Sequence, residues 1–155
     1  MASFDTTLYT NQNGSAGASP ATGYPLAKDS AGKVRYAAVE YTLAGTEAAT
    51  DTINLATLKV GAKVIPHLSE VYVENPGTAL VFDIGDAGDA DRYVDGLTVS
   101  AGGFFRWNEG GTAAATANSL YEIASGNEDI VLTVGTATSL TADQDLLFLI
   151  AYVDE

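Results

Sequence analysis

Residues 78–84 read TALVFDI, and this stretch shows the pattern that decides the fold. Every second residue is large and apolar (Leu80, Phe82 and Ile84), which is the period-two pattern of a strand with one buried face. Turn-forming residues stand on both sides, with NPG before the stretch and GD after it. The stretch is therefore predicted to be a short β-strand that sends three apolar side chains into a core.

Similar short segments follow one another along the chain at intervals of roughly ten residues, separated by Gly-containing turns. No long segment has the 3.6-residue period of a helix. This pattern predicts an all-β protein with a single β-sandwich or jelly-roll-like domain, called the body, over residues 33–155. The other predicted strands cover residues 33–42, 52–58, 64–74, 93–100, 104–107, 119–123, 129–134 and 145–153.

The last predicted strand, DLLFLIAYV at 145–153, is apolar on both faces. Such a strand is either central in its sheet or covered on both sides, and contact with another copy of the chain can supply the second cover. A central position or an oligomer contact is therefore expected here.

Residues 1–32 differ in character from the body. The part from 11 to 25 reads NQNGSAGASPATGYP and has almost no aliphatic residues, so it cannot fill a core. It is predicted to be an extended N-terminal arm that lies across a partner, and a disordered tail is an equal alternative. The arm residues predicted to bind the partner are the apolar ones: Phe4, Leu8, Tyr9, Tyr24 and Leu26.

The 155-residue chain has a net charge of −13, and this charge is unevenly distributed. Residues 1–63 hold five basic and five acidic residues, so the whole excess lies in residues 64–155. The asymmetry indicates either a solubilising acidic surface or a neutral docking half beside an acidic outward half. Nucleic acid is not expected as a partner, because an acidic body repels phosphates.

Several other classes of function lack their sequence signals. The chain has no Cys, which excludes disulfides and thiolate chemistry. No apolar run approaches the roughly 20 residues of a membrane helix, and no signal-peptide pattern is present, so no membrane partner is expected. The chain also lacks the Gly-rich phosphate and dinucleotide motifs, and no cofactor is expected.

An acidic loop follows the opening strand. It reads DIGDAGDADRYVD from 83 to 95, and clustered carboxylates of this kind can hold Ca²⁺. The spacing matches no known calcium loop, so we favour an acidic turn in which Asp side chains cap backbone N–H groups and Arg92 pairs with one or two of them. The candidate calcium ligands are Asp83, Asp86, Asp89, Asp91 and Asp95.

No residue is predicted to be catalytic. His67 is the only histidine, and no nucleophile motif accompanies it, so we expect it to be a surface or partly buried side chain. Phe104, Phe105 and Trp107 surround Arg106 and are candidates for a patch that stacks on a sugar or a protein partner. The alternative is a core group with one exposed ring.

Parts of the sequence resemble small structural proteins of tailed bacteriophages. The pieces that carry the resemblance are IGD at 84–86, DADRYVDG at 89–96 and the closing strand at 147–153, and it is strongest over 59–103 and 130–153. The resemblance implies a non-enzymatic virion protein on the surface of the phage head, of the decoration or capsid cement type. Its implied partners are the major capsid protein and further copies of itself, as a trimer or dimer.

Two other functions stay open from sequence. A receptor- or glycan-binding module of a phage fibre or head surface is indicated by the Gly-rich loops and the group around Trp107. A cell-wall hydrolase has the least support, because no pair of carboxylates stands out among the many present.

Overall fold

Two antiparallel β-sheets build the body in the computed structural model, which describes residues 33–109 and 121–154. A five-stranded sheet has the order β1-β9-β4-β7, with β3 also paired to β9, and a four-stranded sheet has the order β2-β8-β5-β6. The strands are β1 (Lys33–Thr42), β2 (Thr52–Leu58), β3 (Lys63–Val64), β4 (Glu70–Val73), β5 (Gly77–Asp86), β6 (Asp89–Val99), β7 (Gly103–Arg106), β8 (Glu128–Leu140) and β9 (Asp145–Asp154).

The order of the strands is that of a jelly roll. β3 and β4 pair with the two ends of the same strand, β9, and so act as one interrupted strand. Counted in this way, eight strands form two four-stranded layers, and successive strands alternate between the layers except at the β5–β6 hairpin. The predicted all-β, jelly-roll-like sandwich is confirmed.

The core lies between the two sheets. Phe82 of β5 and Phe148 of β9 meet there edge to face, with their ring centroids 6.2 Å apart. Leu80, Phe82 and Ile84 are all buried, as their alternation predicted. β9 lies between β1 and β4, so the doubly apolar strand has the central position that was one of its two expected explanations.

The predicted strand at 64–74 is interrupted by a single 3₁₀ turn, Pro66–Leu68. Pro66 has no N–H to donate to the ladder, so pairing with β9 stops here. The buried Ser69 hydroxyl bridges the gap: it donates to the carbonyl of Ile65 at 3.0 Å and accepts the N–H of Ala151 at 2.9 Å. A side chain thus replaces a missing backbone partner in the sheet.

Other boundaries also differ from prediction. β5 continues through Gly85 to Asp86. A Cβ atom at position 85 would collide with the carbonyl oxygen of Asp89, so only glycine permits the close β5–β6 hairpin. β8 continues past Gly135 to Leu140, six residues beyond its predicted end, with a register shift opposite Val81 and Phe82.

One predicted strand is absent. Of the stretch predicted at 119–123, residues 119 and 120 lie outside the described part, and Tyr121–Ile123 holds only an isolated bridge from Glu122 to Lys63. Within the described residues, no helix is long and apolar enough to cross a membrane.

Candidate functional site

An apolar surface lies on the outer face of the five-stranded sheet, the face turned away from the core. Tyr72 of β4 stands directly opposite Phe104 of β7 on one side and Leu147 of β9 on the other. The Tyr72 and Phe104 rings are 4.9 Å apart. Phe104 is 73% exposed and Leu147 is 46% exposed, so this row of large side chains is open to solvent.

Two more exposed apolar side chains lie on β1, the neighbour of β9, toward the end of the sheet away from Leu147. Ala37, Val39 and Tyr41 of β1 pack against the core, so the alternate residues point outward. Among these, Tyr36 is 52% exposed and Val34 is 45% exposed. We call this surface, made of Val34, Tyr36, Tyr72, Phe104 and Leu147, the outer apolar face.

The outer face of the four-stranded sheet has a different composition. One row across it is Thr52, Thr133 and Asp83, and another is Thr136, Val81 and Thr98. Apart from Val81, these rows place short polar side chains where the five-stranded sheet has aromatic rings. Because exposed apolar surfaces often bind partners, the outer apolar face is the candidate functional site.

Formal charge also separates the two sheets. The strands of the five-stranded sheet hold four basic and four acidic residues. Those of the four-stranded sheet hold seven acidic residues and a single arginine, Arg92, which gives −6. The uneven distribution of charge along the chain therefore corresponds, among the strands, to one neutral sheet and one acidic sheet.

The structure divides the three predicted contact aromatics. Phe104 is exposed on the outer apolar face, whereas Phe105 points inward and packs against the core. Trp107 is fully buried, so the prediction that it contacts a partner is wrong. The strand ends at Arg106, and the 3₁₀ turn Trp107–Glu109 sends the indole into the core while the Trp107 N–H donates to the Ser69 carbonyl at 3.1 Å.

Asp86 organises the acidic loop at the β5–β6 turn. Its Oδ1 accepts the backbone N–H groups of Gly88 and Asp89, at 2.9 and 3.1 Å. Its Oδ2 accepts the Nε–H of Arg92 at 2.5 Å and the hydroxyl of Tyr93 at 3.2 Å. The carboxylate is almost completely buried, so four donors replace its water.

The partners of Asp86 have their own perturbed environments. Burial, together with the neighbouring Asp86 carboxylate, raises the pKa of the Tyr93 hydroxyl well above its usual range. Although burial opposes it, the bond to Asp86 raises the pKa of the Arg92 guanidinium. That guanidinium lies 3.8 Å from the ring centroid of Tyr121, a cation–π contact between residues far apart in the chain that local sequence patterns do not reveal.

The favoured interpretation of the acidic loop agrees with this geometry. Asp86 caps two backbone N–H groups, and Asp83 accepts the N–H of Gly96 at 2.7 Å. Arg92 pairs with Asp86 and, at 3.9 Å, with Asp89. In the described part of the chain, no group of three or more His, Asp or Glu side chains is arranged to hold a metal ion. Asp83 and Asp86 therefore have structural roles at this turn, and calcium binding by Asp83, Asp86, Asp89, Asp91 and Asp95 stays a hypothesis.

His67 is exposed and lies on the 3₁₀ turn between β3 and β4. The nearby Ser69 hydroxyl is already used in the sheet, where it donates to one backbone group and accepts from another. This geometry gives Ser69 a structural role that the sequence did not signal. The five predicted arm contacts, Phe4, Leu8, Tyr9, Tyr24 and Leu26, lie outside the described residues and stay predictions.

Two chains in solved structures share this fold. One belongs to the capsid asymmetric unit of cyanophage Pam1; it aligns with a TM-score of 0.61 and 20% identity over 80% of this chain and 86% of that chain. The other belongs to the capsid of Ralstonia phage GP4, with a TM-score of 0.59 and 20% identity over 84% of this chain and 90% of that one. No protein-family model and no curated protein matches the sequence.

These similarities extend over most of each chain, so the two capsid chains are close to this one in length as well as in fold. At 20% identity they establish a shared fold and carry no residue-level correspondence.

Proposed function

We propose that the protein is a non-enzymatic structural component of a phage virion, and more specifically a decoration or cement protein on the head surface. The observation that carries the proposal is the shared fold with chains of two phage capsids over at least 80% of this chain. The phage-like sequence pieces at 84–96 and 147–153 support it independently of the fold.

The described geometry fits a scaffold better than a catalyst. The most elaborate polar group, Asp86 with Arg92 and Tyr93, closes a hairpin and has its hydrogen bonds satisfied within the chain. A protein that reinforces a shell needs a rigid body and a surface that binds a partner. The sandwich provides the first, and the second is the proposed role of the N-terminal arm at residues 1–32.

The proposal is tested by co-sedimentation with phage heads that lack the protein. Purified full-length chain is added to such heads, and bound protein is measured after sedimentation, beside heads that already carry it. We expect saturable binding, with loss of much of it when residues 1–32 are removed. Heads with bound protein should also survive a higher temperature than bare heads.

The two outcomes separate the general from the specific proposal. Binding without any gain in heat resistance would contradict the cement role and leave a surface component of the head. Absence of binding by the full-length chain would contradict the decoration role altogether. The receptor- or glycan-binding alternative loses one of its supports, because Trp107 is in the core and cannot stack on a sugar, whereas Phe104 is exposed.

A further inference from the structure

Two cavities adjoin at Thr52, the first residue of β2. One has a volume of about 390 Å³, and its lining includes Ala87 and Ala90 of the β5–β6 hairpin and Val131 of β8. The other has a volume of about 400 Å³ and is lined mainly by the loop between β1 and β2. Thr52 lines both cavities, so together they form one groove, which we call the acidic groove. Each part has the volume of a small-molecule site.

Carboxylates lie toward both ends of the acidic groove. Two line each part: Glu128 and Asp129 in the first, and Glu47 and Asp51 in the second. Along β8, Asp129 lies four residues before Thr133, which is the register partner of Thr52. At about 3.3 Å per residue, the two acidic pairs are therefore separated by on the order of 15 Å. The lining between them is apolar at Ala87, Ala90 and Val131.

Two of these carboxylates have an oxygen atom that nothing in the described chain satisfies. Among the described residues, Oε2 of Glu128 and Oε2 of Glu47 are buried without a hydrogen-bond partner, and none of the four carboxylates has an ion-pair partner. Asp86 lines the same groove but differs from them, because Arg92 pairs with it. A buried carboxylate oxygen without a donor is unfavourable, so rotation of the side chain toward a cationic donor in the groove is favourable.

We propose that the acidic groove binds a linear aliphatic polyamine, a molecule whose ammonium groups are joined by methylene chains. The ammonium groups donate hydrogen bonds to the carboxylates at the two ends, and the methylene groups contact the apolar lining between them. Extended spermine spans about 15 Å, at roughly 1.2 Å per bond along its chain, and this length matches the separation of the acidic pairs. A polyamine site goes beyond the proposed function and does not rest on it.

The test is isothermal titration calorimetry of the full chain with spermine at low ionic strength, where salt screens charge interactions least. We expect saturable binding with a dissociation constant below about 1 mM. Glu128→Gln and, separately, Glu47→Gln should each weaken binding by at least about fivefold, because each removes a charge from one end of the groove. Glutamine keeps the size of the side chain, and a melting curve verifies that each variant is folded.

Asp95→Asn is the matched control for charge. It removes the same charge from an exposed position on β6 that does not line the groove, and it should change the dissociation constant by less than about twofold. A second control compares two ligands of equal charge, spermidine and the compact ion hexaamminecobalt(III). Spermidine should bind more tightly, because only spermidine has methylene groups to contact the apolar lining. Amide chemical shifts in NMR spectra should respond to spermine most strongly at Thr52, Ala90 and Val131.

Three results would overturn the proposal. The first is the absence of saturable binding up to about 10 mM spermine. The second is equal weakening by Asp95→Asn and Glu128→Gln, or tighter binding of hexaamminecobalt(III) than of spermidine, because either would mean a diffuse attraction of cations to an acidic protein. The third is a response in the NMR spectra that lies away from the groove. Each of these results leaves binding to phage heads, and with it the proposed function, unaffected.

Discussion

The two sheets of this sandwich share one core but present opposite surfaces to their surroundings. Opposite Tyr72, the five-stranded sheet places Phe104 and Leu147, whereas the four-stranded sheet places Thr133 between Thr52 and Asp83. The strands of the first sheet are neutral and those of the second carry −6. Water suits the acidic, threonine-bearing face better than the face with exposed aromatic rings.

The sheets also differ in how they close their irregular points. The four-stranded sheet ends its β5–β6 hairpin on a buried carboxylate, Asp86, with an arginine and a tyrosine as partners. The five-stranded sheet repairs its interrupted strand with a neutral hydroxyl, that of Ser69. Leaving a buried charge without partners lowers the free energy of unfolding more than leaving a buried neutral group without them. We therefore expect substitution of Asp86 to destabilise the protein more than substitution of Ser69.

Asp86→Ala should have the largest effect, a loss of about 3–5 kcal/mol in the free energy of unfolding. It removes the acceptor of Arg92 and Tyr93 and leaves a mostly buried guanidinium without its main ion pair. The measurement is urea unfolding followed by tryptophan fluorescence of the buried Trp107. Asp95→Ala, an exposed carboxylate of β6, is the control and should change stability by no more than about 0.5 kcal/mol. Similar losses for the two variants would refute the special role of Asp86.

Ser69→Ala should cost less, about 1–3 kcal/mol, because it leaves the buried N–H of Ala151 without an acceptor. The same urea unfolding measures the loss of stability. Amide hydrogen exchange at Ala151 should also be faster in the variant than in the wild type. Ser100→Ala, at an exposed serine after β6, is the matched control with no expected change. Unchanged exchange at Ala151 would mean that the hydroxyl does not repair the sheet.

Tyr93 predicts a loss of stability in alkali. Its hydroxyl has a pKa raised by burial and by Asp86, so the folded state holds this proton more tightly than the unfolded chain does. Stability should therefore be constant with respect to this group below the ordinary tyrosine pKa of about 10 and should fall as the pH rises above it. Melting temperatures from pH 8 to pH 11 measure the fall, at constant ionic strength.

Tyr93→Phe supplies the control for that titration. At neutral pH it should cost only about 0.5–1.5 kcal/mol, for one lost hydrogen bond. Above pH 10 it should lose less stability than wild type. Parallel slopes for wild type and Tyr93→Phe would contradict the raised pKa.

Period-two alternation was enough to predict much of this fold. The bounds of β1 (Lys33–Thr42) and β2 (Thr52–Leu58) agree with prediction to the residue, and Phe82 points inward as expected. The local pattern is sufficient here because one face of each strand packs in the core and the other face is exposed to water. It failed at Gly85, which was interpreted as part of a turn, and at Gly135, just past the predicted end of a strand, because both lie inside strands.

The candidate site was less predictable, because it depends on which strands become neighbours. Phe104 and Leu147 are far apart in the chain, and only the pairing of β4 with both β7 and β9 brings them into one row with Tyr72. The buried Trp107 continues the period-two alternation of β7, in which Phe104 and Arg106 are exposed and Phe105 points inward. The sequence did not show which of these two sets of side chains faces the core.

The smallest expected effect is the coupling between Tyr72 and Phe104 within one chain. Opposite aromatic residues on neighbouring strands stabilise a sheet by about 0.2–1 kcal/mol relative to alanine, so a double-mutant cycle with Tyr72→Ala and Phe104→Ala should give a coupling in that range. The cycle is measured by urea unfolding at low protein concentration. A coupling that grows with protein concentration would show that a contact between molecules contributes to it. A coupling of zero at low concentration would mean that this face has no stabilising role in the monomer, which would strengthen the contrast with the four-stranded sheet.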